Sequence, residues 1–303
     1  MRNLRRAAAG QGRRLARPKP RAGKFCIRGN ALPARFDGII EGMNYQREVE
    51  FARRMAVAAG RNAARIRAGG VIAEIKSDAS PVTIADRENE RLIREAIEAE
   101  FPEDGILGEE GSSKPGSSGR RWIIDPIDGT RDFVRGNRFW CVLLAIEEGG
   151  ESLAGVAHFP MLDETYWAVR GHGAYRHNER LHVSPVASVE DACFCPSGLH
   201  SADARPYLAR LTELMQRSWS VRSFGGALDA CLLAAGQVDL WFEPRVAVWD
   251  LAPLKLIIEE AGGRFFAMDG SRAIDRGTAI GCAPGLEDEV RRSLGIPIGT
   301  PVR

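Results

Sequence analysis

The stretch Trp122-Ile-Ile-Asp125-Pro-Ile-Asp128-Gly-Thr130 joins a short apolar run to two carboxylates. Pro126 has no N–H to donate to a neighbouring strand, so the run predicts a strand that ends at Asp125. The turn that follows brings in Asp128 three residues later, with the carbonyl of Ile127 between the two side chains. Carboxylate and carbonyl oxygens are the ligands of hard cations, so we predict a metal site in this turn.

The same turn has features of a phosphate site. Asp128-Gly129-Thr130 favours the start of a helix, where the backbone N–H groups of Gly129 and Thr130 have no partners inside the helix. An anion is stabilised at such a position. The spacing DxxDGT differs from the DxDxT of phosphatases with an aspartyl nucleophile. Ile127 stands where their second Asp would stand, so that chemistry is excluded.

Three further carboxylates stand at similar junctions. Glu109 follows a short apolar run, and Asp250 stands directly before a helical run. Asp86 precedes a second helical pattern. An acidic residue at a helix start is commonly a cap, and this alternative stays open for Asp86 and Asp250. Together with the two aspartates of the turn, Glu109 and Asp250 predict a site for two or three Mg²⁺ ions.

The composition is that of a globular chain with a sizeable core. The 303 residues are 44% hydrophobic and 27% charged, which suits one large domain or two coupled halves. Apolar runs such as 141–146 are far shorter than the roughly 20 residues of a membrane helix, so we expect no membrane partner. Six cysteines without metal-binding spacing, and no secretory signal, predict reduced thiols and a cytoplasmic location.

Charge is distributed unevenly along the chain. Residues 1–36 contain eleven basic and no acidic residues. Residues 37–303 contain the other 31 basic residues and all 40 acidic ones, which gives this part of the chain a formal charge of −9. An acidic body suits a cation site better than a nucleic-acid surface, so we do not expect a nucleic-acid partner. We predict a disordered basic arm over 1–42. Three interpretations of this arm compete: a transit peptide, a nucleic-acid arm, and translation from an upstream start codon, with the functional chain beginning near Met43. We favour the last.

Hydrophobic periodicity predicts two helices followed by a strand-rich region. Apolar residues recur on a helical period over 44–67, and a second helical pattern follows Asp86. Short apolar runs then predict adjacent antiparallel strands as far as residue 175. Strand and helix patterns alternate after that. We therefore predict a layered α+β or α/β fold, with a strand-rich half over 43–185 and an αβ half over 186–303.

Three spaced motifs resemble the inositol monophosphatase family of Mg²⁺-dependent phosphatases. They are GEEG at 108–111, WIIDPIDGTRDFVRG at 122–136 and WDLAPLKLIIEEAGG at 249–263. The resemblance spans about residues 46–293 and implies the family's fold, in which helix and sheet layers alternate. KSDASPVTIAD at 76–86 is similar to the N-terminal motif of the family, especially in its histidinol-phosphatase branch.

The resemblance implies a role for each matching position. The metal ligands would be carboxylates and one carbonyl: Glu109, Asp125, Ile127, Asp128 and Asp250. Glu109 and Thr130 would be catalytic and would activate the attacking water, with Asp86 hydrogen-bonded to Thr130. The phosphate turn and residues of the C-terminal half would hold the substrate: Gly129, Thr130, Gly225, Gly226, Asp229 and Glu243. Two or three Mg²⁺ ions, inhibition by Li⁺ and a homodimer are also implied.

The substrate implied is a small phosphate monoester. The segment 131–136 and Pro253 resemble the histidinol-phosphatase branch, which favours histidinol phosphate and a role in histidine biosynthesis. Asp132 and the spacing of Asp229 from the glycines depart from that branch, so inositol 1-phosphate is the alternative. A 3′-phosphoadenosine nucleotide, fructose 1,6-bisphosphate and a non-catalytic binding role are further alternatives. Histidinol phosphate carries a cationic amino group, which Asp229 or Glu243 could bind.

Overall fold

The computed structural model describes residues 39–70, 72–76 and 81–297. The predicted basic arm over 1–42 lies outside the described residues as far as residue 38. Among the described residues, no helix is long and apolar enough to cross a membrane. Five of the six cysteines lie in this part of the chain, where each is buried and free: Cys141, Cys193, Cys195, Cys231 and Cys282.

Two helices form the first layer of the fold. Apolar residues on a helical period place α1 at Gln46–Ala68 and α2 at Ile84–Glu100. Between them, the short strands β1 (Ala73–Ile75) and β2 (Pro81–Thr83) pair in an antiparallel hairpin. The two helices pack against each other and against the large sheet that follows them in the chain.

Eight strands form the large sheet. In chain order they are β3 (Gly105–Gly108), β4 (Ser113–Lys114), β5 (Arg120–Asp128), β6 (Cys141–Glu148), β7 (Glu151–Phe159), β8 (Glu164–Val169), β9 (Gly173–Arg176) and β10 (Glu179–Arg180). Their order across the sheet is β10-β9-β8-β7-β6-β5-β3-β4. Neighbours are antiparallel except β3 and β5, which run parallel, so the prediction of antiparallel strands is wrong for this pair. Parallel strands end at the same edge of a sheet, and this pair therefore brings Glu109 and Asp125 together.

The strand β5 does not end at Asp125, as predicted, but continues to Asp128. Its register with β6 shifts between these two residues, which marks a bulge. Pro126 lies in the bulge, one of the few positions within a sheet where a residue without an N–H is tolerated. The chain then turns at Gly129, which has a φ of 79°, and enters the short helix α3 (Thr130–Arg135).

A five-stranded sheet forms the core of the C-terminal half. Its strands are β11 (Cys193–Pro196), β12 (Ser220–Val221), β13 (Leu240–Glu243), β14 (Arg264–Phe266) and β15 (Ala279–Cys282). They lie in the order β12-β11-β13-β15-β14, with β11 parallel to both of its neighbours and β15 antiparallel to both of its own. The sequence pattern misses β14, a three-residue edge strand too short to show a period.

Four helices complete the layers: α4 (Leu208–Arg217), α5 (Gly226–Ala234), α6 (Val248–Glu260) and α7 (Glu287–Leu294). Helices α5 and α6 lie between the two sheets, since Leu254 of α6 shares a buried cluster with Leu143 of β6 and Trp241 of β13. Helices α4 and α7 cover the other face of the small sheet, where Leu211 packs with Phe194. Helix and sheet layers therefore alternate, which confirms the predicted layered fold.

Candidate metal and phosphate site

Three of the predicted carboxylates converge at one edge of the large sheet. Asp125 and Asp128 lie in the last part of β5, and Asp250 lies in the first turn of α6. One carboxylate oxygen from each residue lies within 4.8 Å of the other two. The predicted position of Asp250 before its helix is wrong, because α6 begins at Val248. The Asp250 carboxylate bonds back to the N–H of Ala247 at 2.9 Å and so also stabilises the helix start.

Burial raises the pKa of every carboxyl group in this cluster. Burial is the largest cause at Asp125, Asp128 and Asp250, and it raises the pKa of Asp128 to about 8. Repulsion from neighbouring carboxylates adds to the pKa shifts of Asp125 and Asp128. Buried like charges are stabilised by a cation between them. Three carboxylates with the adjacent carbonyl of Ile127 form an oxygen donor set that fits Mg²⁺.

Glu109 follows β3 and lies beside this cluster. Burial raises the pKa of its carboxyl group, the ion pair with Lys76 opposes the shift, and repulsion from Asp250 adds to it. Nζ of Lys76 lies 2.9 Å from Oε1 of Glu109 and 2.5 Å from Oε1 of Glu110. Sequence reasoning gives Lys76 no role in the site. Its position in the motif at 76–86 is the signal that could have drawn attention to it.

A threonine and an aspartate from two helices meet beside this acidic cluster. Oγ1 of Thr130 lies 3.4 Å from Oδ1 of Asp86 and 3.2 Å from the carbonyl oxygen of Ile127, so its one proton has two acceptors. The other oxygen of Asp86 accepts bonds from the N–H of Thr83 at 2.7 Å and from its hydroxyl at 2.5 Å. Asp86 lies in the first turn of α2, which begins at Ile84, and not before the helix as predicted. Sequence reasoning missed Thr83, which its T-x-x-D spacing could have revealed as half of a capping box.

The turn at Gly129 requires glycine. A Cβ there would lie 3.1 Å from the carbonyl oxygen of Phe139, and the positive φ adds strain for any residue with a side chain. The binding of phosphate by Gly129 and Thr130 stays a prediction. Sequence reasoning also gives no role to Cys141, whose buried Sγ lies 3.7 Å from Oδ2 of Asp128.

The predicted substrate residues of the C-terminal half come from two elements. Gly225 and Gly226 lie at the start of α5, and Glu243 ends β13. A Cβ on Gly226 would lie 2.8 Å from Oε2 of Glu243, so the missing side chain makes room for this carboxylate. Burial raises the pKa of Glu243 well above its usual range, and repulsion from Asp128 and Asp250 adds to the shift. Glu243 therefore belongs to the same acidic environment as Asp128 and Asp250.

Asp229 is fully buried beneath the glycine turn. Its carboxylate accepts hydrogen bonds from the N–H of Phe224 at 3.0 Å, the hydroxyl of Ser197 at 3.3 Å and the N–H of Gly225 at 3.4 Å. Burial raises the pKa of Asp229, and these bonds partly oppose the shift. The bonds fix the conformation of the turn. A direct contact between Asp229 and a substrate stays a prediction.

Comparisons with known proteins agree on one family. Residues 44–294 match the sequence model of the inositol monophosphatase family. Histidinol-phosphatase from Mycobacterium tuberculosis is 42% identical over 238 residues, which cover 76% of this chain and 91% of that protein. Histidinol-phosphatase from Streptomyces coelicolor is 37% identical over 75% of this chain and 88% of that protein. Inositol-1-monophosphatase from Rhizobium meliloti is 36% identical over 68% of this chain and 79% of that protein.

A solved structure agrees with these sequence matches. The extragenic suppressor protein suhB from Bartonella henselae superposes with a TM-score of 0.78 at 31% identity, over 82% of this chain and 98% of that chain. The fold and the acidic site together define a metal-dependent phosphatase that acts on phosphate monoesters. The chain belongs to the inositol monophosphatase family.

Proposed function

We propose that the protein is a Mg²⁺-dependent histidinol-phosphatase, which hydrolyses histidinol phosphate to histidinol and inorganic phosphate in histidine biosynthesis. The convergence of Asp125, Asp128 and Asp250 carries the proposal of metal-dependent chemistry. The identity to two histidinol-phosphatases over about three quarters of the chain supports the choice of substrate.

The metal ligands in this proposal are four carboxylates and one carbonyl: Glu109, Asp125, Ile127, Asp128 and Asp250. Mg²⁺ held there would neutralise the phosphoryl oxygens, lower the pKa of water and stabilise the leaving oxygen. Four ionised carboxylates carry twice the charge that one Mg²⁺ balances, which supports at least two ions. The protein itself aligns the attacking oxygen with the ester bond, since phosphoryl transfer depends mainly on position and charge.

Glu109 and Thr130 act on the attacking water. Because Asp86 and the carbonyl of Ile127 are both placed to accept the hydroxyl proton of Thr130, the lone pairs of the Thr130 oxygen can accept a hydrogen bond from the water. Glu109 accepts the other proton of that water as a general base. The water oxygen bonds to phosphorus while the ester P–O bond breaks. The leaving oxygen takes a proton from a solvent water to become the alcohol, and Glu109 returns to solvent the proton that it accepted.

Substrate binding in this proposal divides between two glycine turns. The N–H groups of Gly129 and Thr130 hold the phosphate. The alcohol part lies against Gly225 and Gly226, whose turn Asp229 supports. Histidinol phosphate brings a protonated amino group, and a buried carboxylate such as Glu243 is stabilised by such a partner far more than by the hydroxyls of inositol.

Inositol 1-phosphate is the alternative substrate, and the Rhizobium meliloti relative supports it. We further propose that the enzyme works in the cytoplasm as a homodimer and is inhibited by Li⁺, as the resemblance to the family implies. Light scattering on the purified chain tests the dimer, and a Li⁺ titration of phosphate release tests the inhibition.

Phosphate release from histidinol phosphate and myo-inositol 1-phosphate, with Mg²⁺ present and then chelated, tests the proposal. We expect release that requires Mg²⁺ and a kcat/KM at least about 10-fold higher for histidinol phosphate, which corresponds to about 1.4 kcal/mol. Equal or reversed preference contradicts the substrate assignment. Release that persists after chelation contradicts the metal assignment.

A further inference from the structure

Glu90 of α2 is buried beside the turn that carries Glu109. Only 3% of its surface is exposed. Its Oε2 accepts a hydrogen bond from the N–H of Glu110 at 2.6 Å, and its Oε1 accepts one from the N–H of Ser112 at 2.8 Å. A helix carboxylate thus completes the backbone hydrogen bonds of a turn about twenty residues further along the chain.

The turn at 109–112 is fixed from two sides. The N–H of Glu109 donates to the carbonyl of Ile124 in β5 at 3.1 Å, and the N–H of Gly108 donates to the carbonyl of Ser112 at 2.7 Å. The sheet therefore holds the first residue of the turn, whereas Glu90 holds the amides that follow. Short charge-assisted bonds of this kind are stronger than bonds between neutral groups.

Gly108 gives Glu90 access to the turn. A Cβ on Gly108 would lie 2.5 Å from Cδ of Glu90 and the same distance from one of its oxygens. Any larger residue at position 108 would therefore force the carboxylate away from the amides of Glu110 and Ser112.

Asp86 and Glu90 lie four residues apart, on the same face of α2. Asp86 accepts a bond from Thr130, and Glu90 holds the turn that presents Glu109. We infer that Glu90 is a positioning residue for the reaction, and that one face of α2 aligns both residues that act on the attacking water. This inference rests on the proposed role of Glu109 as a metal ligand and base.

Glu90→Gln tests the inference, because glutamine has nearly the same size and shape as glutamate. Glutamine offers one acceptor oxygen, and its NH₂ group would face one of the two backbone N–H donors, so the turn must shift. Supporting residues of this kind change metal affinity or activity by about 10- to 100-fold. We expect Mg²⁺ binding, measured by calorimetry, to weaken within that range, and kcat to fall by a similar factor. KM for the phosphate ester should change less than about threefold, because the alcohol part binds elsewhere.

Asn89→Ala is the matched control. Asn89 is fully buried in the same helix, but its side chain bonds to Asn62 and to the carbonyl of Ala59 in α1. This variant should lower the melting temperature and leave Mg²⁺ affinity unchanged. Gly108→Ala is a second variant that displaces Glu90, and it should reproduce the weaker Mg²⁺ binding of Glu90→Gln.

Unchanged Mg²⁺ affinity and kcat in Glu90→Gln would overturn the inference, as would an equal loss of Mg²⁺ affinity in Asn89→Ala. The calorimetric titration uses Mg²⁺ alone and needs no substrate. Weaker Mg²⁺ binding in the variant would therefore support the role of Glu90 even if histidinol phosphate proved to be the wrong substrate.

Discussion

Oγ1 of Thr130 in α3 lies 3.4 Å from Oδ1 of Asp86 in α2, although the two residues are 44 positions apart. The second oxygen of Asp86 is held by Thr83, so this carboxylate both stabilises the start of α2 and orients a hydroxyl in the site. The two interpretations of Asp86 from sequence, as a cap and as a site residue, are therefore compatible. A fixed acceptor leaves the Thr130 oxygen able to accept a bond from water.

Removal of either member of this pair should slow the reaction rather than weaken substrate binding. We expect Thr130→Ala and Asp86→Asn each to lower kcat by about 10²–10³-fold, in the lower part of the range of general acid–base contributions. The double variant should be little slower than the worse single variant, because both changes remove one function. Steady-state kinetics checks this, and multiplied losses in the double variant would contradict a shared role.

Asp125→Asn should abolish turnover and leave a folded protein. Asp125 is buried among like charges, which raise its pKa in addition to burial, so the substitution relieves repulsion when no Mg²⁺ is present. We expect the chelated variant to unfold at the wild-type temperature or above it. Saturating Mg²⁺ should stabilise the wild type by about 2–3 kcal/mol at 100 times its Kd, and the variant far less. Asp203→Asn, at an exposed acidic position, is the control and should behave as the wild type. Wild-type turnover in Asp125→Asn would contradict the metal assignment.

The sequence predicts best those parts of the site that depend on local chemistry. Asp125 and Asp128 are recognisable because a turn alone does not need two carboxylates and a proline after an apolar strand. The parallel pairing of β3 with β5 is not recognisable, because it depends on the path of the chain between them. The sequence does not reveal the role of Glu90 for the same reason. Within a helical pattern it cannot be distinguished from any other glutamate, and only the tertiary fold brings it to the amides of Glu110 and Ser112.

Glu243→Gln should distinguish between substrates. The carboxylate lies at the end of β13 against Gly226 and shares the acidic environment of the site. A cationic amino group gains an ion pair there, whereas inositol gains only hydrogen bonds. We expect kcat/KM to fall about 10- to 100-fold for histidinol phosphate, which corresponds to about 1.4–2.7 kcal/mol, and less than threefold for myo-inositol 1-phosphate. An equal loss on both esters would remove the proposed substrate contact.

His158 should make the stability of the fold depend on pH away from the site. It is buried in β7, with Nδ1 2.9 Å from the hydroxyl of Thr165, and burial lowers its pKa from 6.5 to about 4. Between these values the unfolded chain binds a proton at His158 that the folded chain does not, so the free energy of unfolding rises with pH. The contribution is fully present above about pH 6.5, and about 3 kcal/mol of it is lost by pH 4. Urea unfolding between pH 5 and pH 7 gives the free energy of unfolding at each pH. This free energy should rise less steeply with pH in His158→Asn than in the wild type or in His200→Asn, a change at an exposed histidine. Identical slopes in all three proteins would mean that His158 is protonated in the folded chain as readily as in the unfolded one.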